Sequence, residues 1–268
     1  MATHIESVGD LLRDWRARRR LSQLELAGDA GVSTRHLSFV ESGRSVPSRD
    51  MLLRLAEPLA MPLRTRNRLL LAGGYAPLHG ERTLDQPDMA SAKAAVEAIL
   101  AGHVPFPALA IDRHWNLVAA NEAVAALLDG VDPALLQPPV NILRLSLAPG
   151  GLAPRILNLA EWRHHLLARL RDEADRSGDS TLLALHRELS ALPFDRSRTP
   201  PGRANAVAIP LTLLDTDGKT TLSFLSATTV FGTATDITLA ELTLECFYPA
   251  DAATRATLMA RWKPQDDE

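Results

Sequence analysis

The apolar positions of the first seventy residues recur with the period of an α-helix, and capping residues stand where each helix would begin. One apolar stripe is formed by Val8, Leu11, Leu12 and Trp15. Capping and first-turn residues predict four more helices, which begin near Ser22, Ser33, Ser48 and Pro62. Pro58 is expected to end the fourth helix near Glu57, and Gly73-Gly74 closes the fifth. The pattern therefore predicts a compact all-α bundle of five short helices.

Four positions in the middle of this bundle have the spacing of a helix-turn-helix. They are Ala27, Gly31, Leu37 and Val40. The small residue lets two helices approach, the glycine forms the turn, and the two apolar residues anchor the second helix on the first. The segment 21–43 resembles the XRE (Cro/C1-type) DNA-binding family, and the resemblance covers about residues 8–72. A bundle without a DNA role is the disfavoured alternative, because four positions and three caps agree.

The resemblance implies that the second of these helices, about residues 34–42, enters the major groove of DNA. The expected DNA-binding residues are Gln23, Ser33, Thr34, Arg35, Ser38, Phe39, Arg44 and Arg49. Arg35 would donate two hydrogen bonds to O6 and N7 of a guanine, whereas Gln23, Arg44 and Arg49 would meet phosphates. Phe39 would either contact a thymine methyl group or pack in the bundle. Glu41 is expected to be structural, since DNA repels a carboxylate.

After residue 74 the helical period is lost, and a second domain begins further along the chain. Residues 1–74 form the predicted DNA-binding domain, residues 75–90 a Gly- and Pro-containing linker, and residues 91–268 the second domain. Within the latter, residues 107–121 predict two short strands joined by a turn, followed by a helix that begins at Glu122. PAS domains open in this way, with a small sheet, helices on one face and an enclosed pocket.

The period falls to two in the last third of the chain, which predicts strands. The alternating positions are Val207, Ile209, Leu211 and Leu213, then Leu242, Leu244, Cys246 and Tyr248. Asp217-Gly218 predicts a turn between strands, and Pro210 favours an edge position. We therefore expect an α+β protein, in which a five-helix helix-turn-helix bundle precedes a PAS-like domain with an antiparallel sheet of about five strands.

Three segments together resemble one family over nearly the full chain, in the same order and with similar spacing. Residues 35–49, 108–121 and 231–251 resemble the MmyB-like transcriptional regulators, bacterial proteins with an XRE head and a PAS-like ligand-binding domain. The resemblance implies a one-component regulator whose second domain holds a small, largely apolar ligand of fatty-acid type. With the helix-turn-helix, it favours a homodimer that reads two half-sites of double-stranded operator DNA.

The candidate ligand-binding residues are periodic apolar side chains of the second domain and a few polar neighbours. They are Arg144, Trp162, Arg163, Leu166, Leu170, Leu222, Phe224, Leu244 and Cys246. Arg144, Arg163 or His164 would meet a carboxylate head group. Plain core or surface packing is the alternative for each residue. For the whole domain, the alternative is a ligand-free dimerisation or protein-docking module.

The net charge of −3 argues against a nucleic-acid partner until it is divided along the chain. Residues 1–72 hold 12 arginines and no lysine against 8 carboxylates, a net charge of +4. The remaining residues hold 17 basic and 24 acidic side chains, a net charge of −7. A basic head on an acidic body is typical of two domains with different partners.

The composition, 46% hydrophobic and 23% charged, excludes a disordered or collagen-like chain. Apolar runs are short and residues 1–20 are rich in charge, so neither a membrane helix nor a signal peptide is expected. The single cysteine, Cys246, cannot form an internal disulfide, which favours the cytoplasm.

Motifs for catalysis and metal binding are missing from the sequence. The eight histidines include no pair four residues apart, and no nucleophile-elbow, phosphate-loop or dinucleotide-binding motif occurs. We therefore expect no enzyme, no metal and no cofactor apart from a bound fatty acid as ligand. Core packing is the expected role of Cys246, and redox sensing is its minority alternative.

Overall fold

The computed structural model describes residues 6–193 and 208–262, and the chain divides into two compact units. The first, here called the head, comprises Met1–Arg82 and Thr233–Ala240. The second, here called the body, comprises Thr83–Gly232 and Glu241–Glu268. Val207, the first position of the alternating run, lies outside the described residues.

Five helices form the main part of the head, which confirms the predicted bundle. They are α1 (Val8–Arg18), α2 (Gln23–Asp29), α3 (Thr34–Glu41), α4 (Arg49–Ala56) and α5 (Leu63–Ala72). A serine caps each of the first four, because its hydroxyl accepts the N–H three residues later. Pro62 stands just before α5, and α4 ends before Pro58, as the sequence predicts.

Leucines from several helices fill the core of the head and leave almost no exposed area. Leu12, Leu26, Leu37, Leu52 and Leu70 are each 0% exposed. The turn between α2 and α3 uses Gly31 at a positive φ of 63°, where a side chain would be strained. A tight turn and a shared core therefore hold α3 against α2, the arrangement of a helix-turn-helix.

The described part of the body contains one sheet and most of the remaining helices. Its strands are β1 (Ala108–Ile111), β2 (Leu117–Ala120), β3 (Leu211–Leu214), β4 (Thr221–Val230) and β5 (Thr243–Pro249). Its helices are α6 (Ala90–Gly102), α7 (Glu122–Leu127), α8 (Ile142–Leu147), α9 (Leu159–Ser177), α10 (Ser180–Ser190) and α12 (Ala252–Arg261), whereas α11 (Ile237–Ala240) belongs to the head. Short 3₁₀ turns occupy Pro87–Met89, Pro133–Leu136 and Ala153–Arg155.

The five strands form a single antiparallel sheet in the order β2-β1-β5-β4-β3, which confirms the predicted PAS-like α+β fold. Asp217 and Gly218 form the turn between β3 and β4, as predicted. Pro210 directly precedes the edge strand β3, where its missing N–H costs no ladder hydrogen bond. The Asn158 side chain covers this edge, since it bonds the Pro210 carbonyl and the Thr212 N–H.

The head extends further along the chain than the composition indicates. Asn67 of α5 accepts the N–H groups of Leu78 and His79 and donates to the His79 carbonyl at 2.7 Å. The Ile237 N–H bonds the Gly80 carbonyl, which joins residues 233–240 to the same unit. Part of the predicted linker therefore belongs to the head, because one buried amide satisfies its backbone groups.

Candidate DNA-binding helix and ligand cavity

The helix α3 shows one face to the core of the head and the other to solvent. Leu37 and Val40 are buried, whereas Arg35 and His36 are exposed. The Ser33 hydroxyl caps the helix by accepting the His36 N–H at 3.2 Å. The outer face of the first turn can therefore meet a DNA groove without any change in the core.

The side chains predicted to bind DNA lie on and after this outer face. Thr34 and Ser38 are half-buried on α3, Arg44 is exposed after it, and Arg49 is the first residue of α4. Phe39 is half-buried, and two guanidinium groups lie near its ring, that of Arg35 at 5.4 Å and that of Arg44 at 5.9 Å from the ring centre. This ring orients two cations, a role that the sequence did not reveal.

A buried carboxylate ties three helices of the head together. Arg16 of α1 donates to both oxygens of Glu41, at 2.8 and 2.9 Å, and the Gln23 amide donates to the same group at 2.7 Å. Burial alone would raise the pKa of Glu41, but these hydrogen bonds and the positive charge hold it below its usual value. Glu41 is therefore structural, as its sequence context indicates.

This network gives Gln23 a partner within the head and adds one residue. The Gln23 amide donates one hydrogen bond to Glu41, and since the group carries two N–H donors, its contact with a phosphate stays a prediction. Arg16 was not among the candidates, because its partner lies on another helix and no local pattern marks the pair.

A second candidate site is an apolar cavity of about 90 Å³ in the body, between the sheet and the helices. Its wall includes Leu109, Trp115, Leu145, Trp162, Leu166 and Phe247. Apolar atoms make up nearly all of this surface, so the cavity suits a hydrocarbon group better than water.

The structure places two of the nine candidate ligand-binding residues in this wall, namely Trp162 and Leu166. Leu170, Leu222 and Phe224 are instead fully buried core residues outside it. These three residues follow the predicted apolar periodicity, but they pack against other core side chains and do not line the cavity.

The two candidate arginines, Arg144 and Arg163, also lie outside the cavity wall. Arg144 makes a two-pronged ion pair with Glu188, with both hydrogen bonds at 2.7 Å. Arg163 donates to the carbonyls of Leu189 and Ser190 at the end of α10. Both guanidinium groups thus join α10 to a neighbouring helix.

The register of β5 places the last two candidates, Leu244 and Cys246, outside the cavity wall. Glu245 and Phe247 line the cavity, and successive side chains on a strand point to opposite faces. Leu244 and Cys246 therefore lie on the opposite face of the sheet. Both faces of this central strand are covered, so all of residues 244–246 are buried, and apolarity alone does not reveal the inner face.

Polar groups gather along one face of α9 beside the cavity. Arg169 forms an ion pair with Glu245 at 2.6 Å and lies 4.5 Å from the centre of the Trp115 ring. His165 lies one turn earlier and also lines the cavity. Burial, together with the Arg169 charge, lowers the pKa of His165, which favours the neutral imidazole. The cavity thus combines an apolar wall with a small polar corner.

Comparison with known proteins assigns both units. A helix-turn-helix domain model matches residues 7–69, and the model of the MmyB-like transcription regulator ligand binding domain matches residues 92–260. The second match covers more than half of the chain. The protein belongs to the MmyB-like transcription regulators. The resemblance noted in three sequence segments is thereby confirmed, and the chain is a helix-turn-helix DNA-binding regulator with a ligand-binding domain.

Two relatives of this MmyB-like regulator are similar over shorter stretches. The ImmF control region 10 kDa protein of Bacillus phage phi105 is 34% identical over 74 residues, which are 26% of this chain and 82% of the phage protein. The crystal structure of the clp gene regulator ClgR from Corynebacterium glutamicum is 24% identical and covers 38% of this chain and 94% of that one. Its TM-score of 0.23 is too low to establish a shared fold.

The described residues contain neither a candidate metal site nor a candidate membrane span. Across residues 6–193 and 208–262, no group of three His, Cys, Asp or Glu side chains is placed to hold a metal ion. In the same ranges, no helix has the length and apolarity that crossing a bilayer requires. The families that match the chain are regulatory rather than enzymatic.

Proposed function

We propose that this regulator is a bacterial one-component transcription factor of the cytoplasm. In this proposal, α3 reads an operator, a small apolar ligand with a fatty-acid-like chain occupies the cavity of the body, and no cofactor takes part. The observation that carries the ligand half is the apolar cavity beside Trp162 and Leu166. The exposed face of α3, with the guanidinium groups of Arg35 and Arg44 beside Phe39, supports the DNA half.

Specific DNA binding is tested by comparing two arginines with different expected roles. Arg35→Ala should relax sequence preference and weaken binding to the operator by about 1–3 kcal/mol, because a base contact is lost. Arg49→Ala should weaken binding to all sequences alike, because a phosphate contact carries no sequence information. Operator fragments selected from a random library and their scrambled versions, titrated in gel-shift assays at fixed salt, measure both effects.

A wild-type protein that binds selected and scrambled fragments equally at moderate salt would refute specific recognition. Ser42→Ala is a suitable control, since Ser42 is exposed after α3 and its hydroxyl only donates to the Phe39 carbonyl. We expect no change in sequence preference for this variant.

Ligand occupancy is tested on the purified full-length protein by native mass spectrometry. We expect a bound aliphatic molecule, or uptake of one when short-chain candidates are added. The cavity of about 90 Å³ is smaller than the roughly 300–1,000 Å³ of pockets for drug-sized molecules. A ligand of more than a few carbon atoms therefore has to push side chains apart, which offers a physical route from binding to a change in the body.

The alternative function, a ligand-free dimerisation or docking module, calls for a fully packed interior in the body. The apolar cavity weighs against it, since a void forfeits packing contacts unless something fills it. A protein that neither carries nor takes up an aliphatic ligand would favour this alternative.

We further propose that the protein acts as a homodimer, as dimeric helix-turn-helix proteins do. Two heads would then read half-sites about 34–36 Å apart. A ligand that favours one spacing of the heads would change DNA affinity by its differential affinity for the two states. Light scattering coupled to size-exclusion chromatography should give twice the chain mass, and a monomer at micromolar concentration would contradict this.

A further inference from the structure

The charged groups beside the cavity are already paired with one another. Among the residues that line it, the two ionised side chains are Arg169 and Glu245. Arg169 contacts Glu245 at 2.6 Å, and its Nε donates to Glu173 at 3.2 Å. The Glu245 side chain is only 6% exposed and also accepts the Thr228 hydroxyl at 3.1 Å. Two carboxylates therefore share one guanidinium group.

This arrangement is unfavourable for a ligand that carries a negative charge. One guanidinium and two carboxylates leave a net charge of −1, and the neutral form of His165 adds nothing to it. A ligand carboxylate would either add a second negative charge in a poorly solvated place or displace Glu245 from Arg169. The displaced Glu245 would then be a buried carboxylate without its cation, which is costly.

Neutral hydrogen-bonding groups also line the cavity. The Ser146 hydroxyl accepts the Trp162 indole N–H at 3.0 Å and keeps its own proton to donate. The His165 ring packs beside the same indole, 5.7 Å between ring centres, and forms no hydrogen bond with the part of the chain that the structure describes. Both groups line the cavity, and both can bond an uncharged oxygen or nitrogen.

We propose that the ligand of this cavity is an aliphatic molecule with an uncharged hydrogen-bonding end, such as an alcohol, ester or amide. The Arg169–Glu245 pair selects against a free carboxylate. This inference rests on the proposed ligand-binding function and narrows its ligand to one chemical class.

The test compares ligands of equal chain length on the full-length protein at pH 7.5. Dissociation constants for 1-octanol, methyl octanoate and octanoate are measured by the change in tryptophan fluorescence, because Trp115 and Trp162 line the cavity. Calorimetry confirms the stoichiometry. We expect the two neutral ligands to bind at least about tenfold more tightly than octanoate, because like charges repel strongly where water is scarce.

A charge-removing variant separates this effect from simple hydrophobicity. Glu245→Gln keeps the shape and a hydrogen-bond acceptor for Arg169 but removes one negative charge. We expect the octanoate affinity to rise about tenfold and the octanol affinity to stay within about twofold. Glu188→Gln is the matched control, since it removes the same charge from an ion pair outside the cavity wall and should change neither affinity.

The binding results distinguish a failure of the selectivity for neutral ligands from a failure of ligand binding itself. If the wild-type protein binds octanoate as tightly as octanol, or if Glu245→Gln leaves their ratio unchanged, the selectivity for neutral ligands is refuted while ligand binding stands. If neither the three molecules nor their four-carbon counterparts (1-butanol, methyl butanoate and butanoate) bind, the proposed ligand-binding function fails, and this inference fails with it. Circular dichroism checks that the Glu245→Gln variant folds. If the variant does not fold, the ratio of octanol to octanoate affinity in the wild-type protein decides between the two outcomes.

Discussion

Replacement of Gly9 by alanine should destabilise the head, because α1 and α3 touch at this residue. A Cβ atom there would lie 2.4 Å from the Glu41 carbonyl oxygen and 3.0 Å from that of Val40. Both obstacles are backbone atoms in the last turn of α3, which no side-chain rotation can move. Overpacking costs about 1–3 kcal/mol, and we take about 3 here because backbone must shift. The better helix propensity of alanine offsets about 1, so the expected loss is about 2 kcal/mol.

Gly28→Ala is the matched control for this experiment. Gly28 lies in α2, it is exposed, and no atom comes within 4 Å of the added Cβ. Alanine there should stabilise the head by about 0.4–1 kcal/mol, since it restricts the unfolded chain. Replacing glycine by alanine is therefore expected to lower the stability of the head at Gly9 and to raise it at Gly28.

Amide hydrogen exchange measured by mass spectrometry resolves the two units of the chain. Peptides from α3 report opening of the head, and peptides from α9 serve as the internal reference. We expect faster exchange in α3 for Gly9→Ala, slower exchange for Gly28→Ala, and no change in α9 for either. The close contact of α1 with α3 would be refuted if Gly9→Ala protected α3 as well as the wild-type residue does.

Five further outcomes follow from four residues. Glu41→Gln should destabilise the head by about 1–3 kcal/mol in the same exchange assay, because it leaves the half-buried Arg16 guanidinium without its counter-charge. Since the pKa of Glu41 is lowered in the fold, its stabilisation is present above its ordinary pKa of 4.5 and should disappear as the pH falls below that value. Asn121→Ala should lower the melting temperature of the body through a loss of about 1–3 kcal/mol, because the Asn121 amide satisfies the backbone of Ala108 and two carbonyl groups, and an unchanged melting temperature would contradict this. Hydrogen bonds from residues 219 and 220 lower the pKa of Asp217 to about 2, so an NMR titration should find its midpoint there rather than near 3.8. Burial raises the pKa of Cys246, which is 5% exposed, so a thiol reagent should label it only after unfolding, and rapid labelling of the native protein would revive the redox alternative.

The fold could be predicted largely from the sequence because its signals are local. Ser22, Ser33 and Ser48 cap their own helices, Gly31 forms its own turn, and each signal operates within a few residues. The strand period and the Asp217-Gly218 turn act in the same way in the body. The head core and the presence of the strands agree with these local patterns, so the fold class needed no long-range information.

The candidate sites were only partly predictable, because which side chains meet depends on distant elements. Leu244 and Cys246 alternate as expected, yet the cavity lies on the other face of β5, beside Glu245. Arg144 was a reasonable partner for a ligand carboxylate, but in the structure it forms an ion pair with Glu188 of α10. No local pattern marks either outcome, since a strand covered on both faces has no polar side to reveal its register.

The sequence by itself determined a basic helix-turn-helix head, a PAS-like body and the helix that presents Arg35 to solvent. Only the tertiary structure decided that the Gln23 amide donates a hydrogen bond to Glu41 and that the cavity is lined by an ion pair of Arg169 and Glu245. The physical reason is that capping, turns and periodicity depend on neighbours in the chain, whereas the electrostatics of a cavity are the sum over every element around it. For this regulator, that sum makes an uncharged ligand the expected occupant.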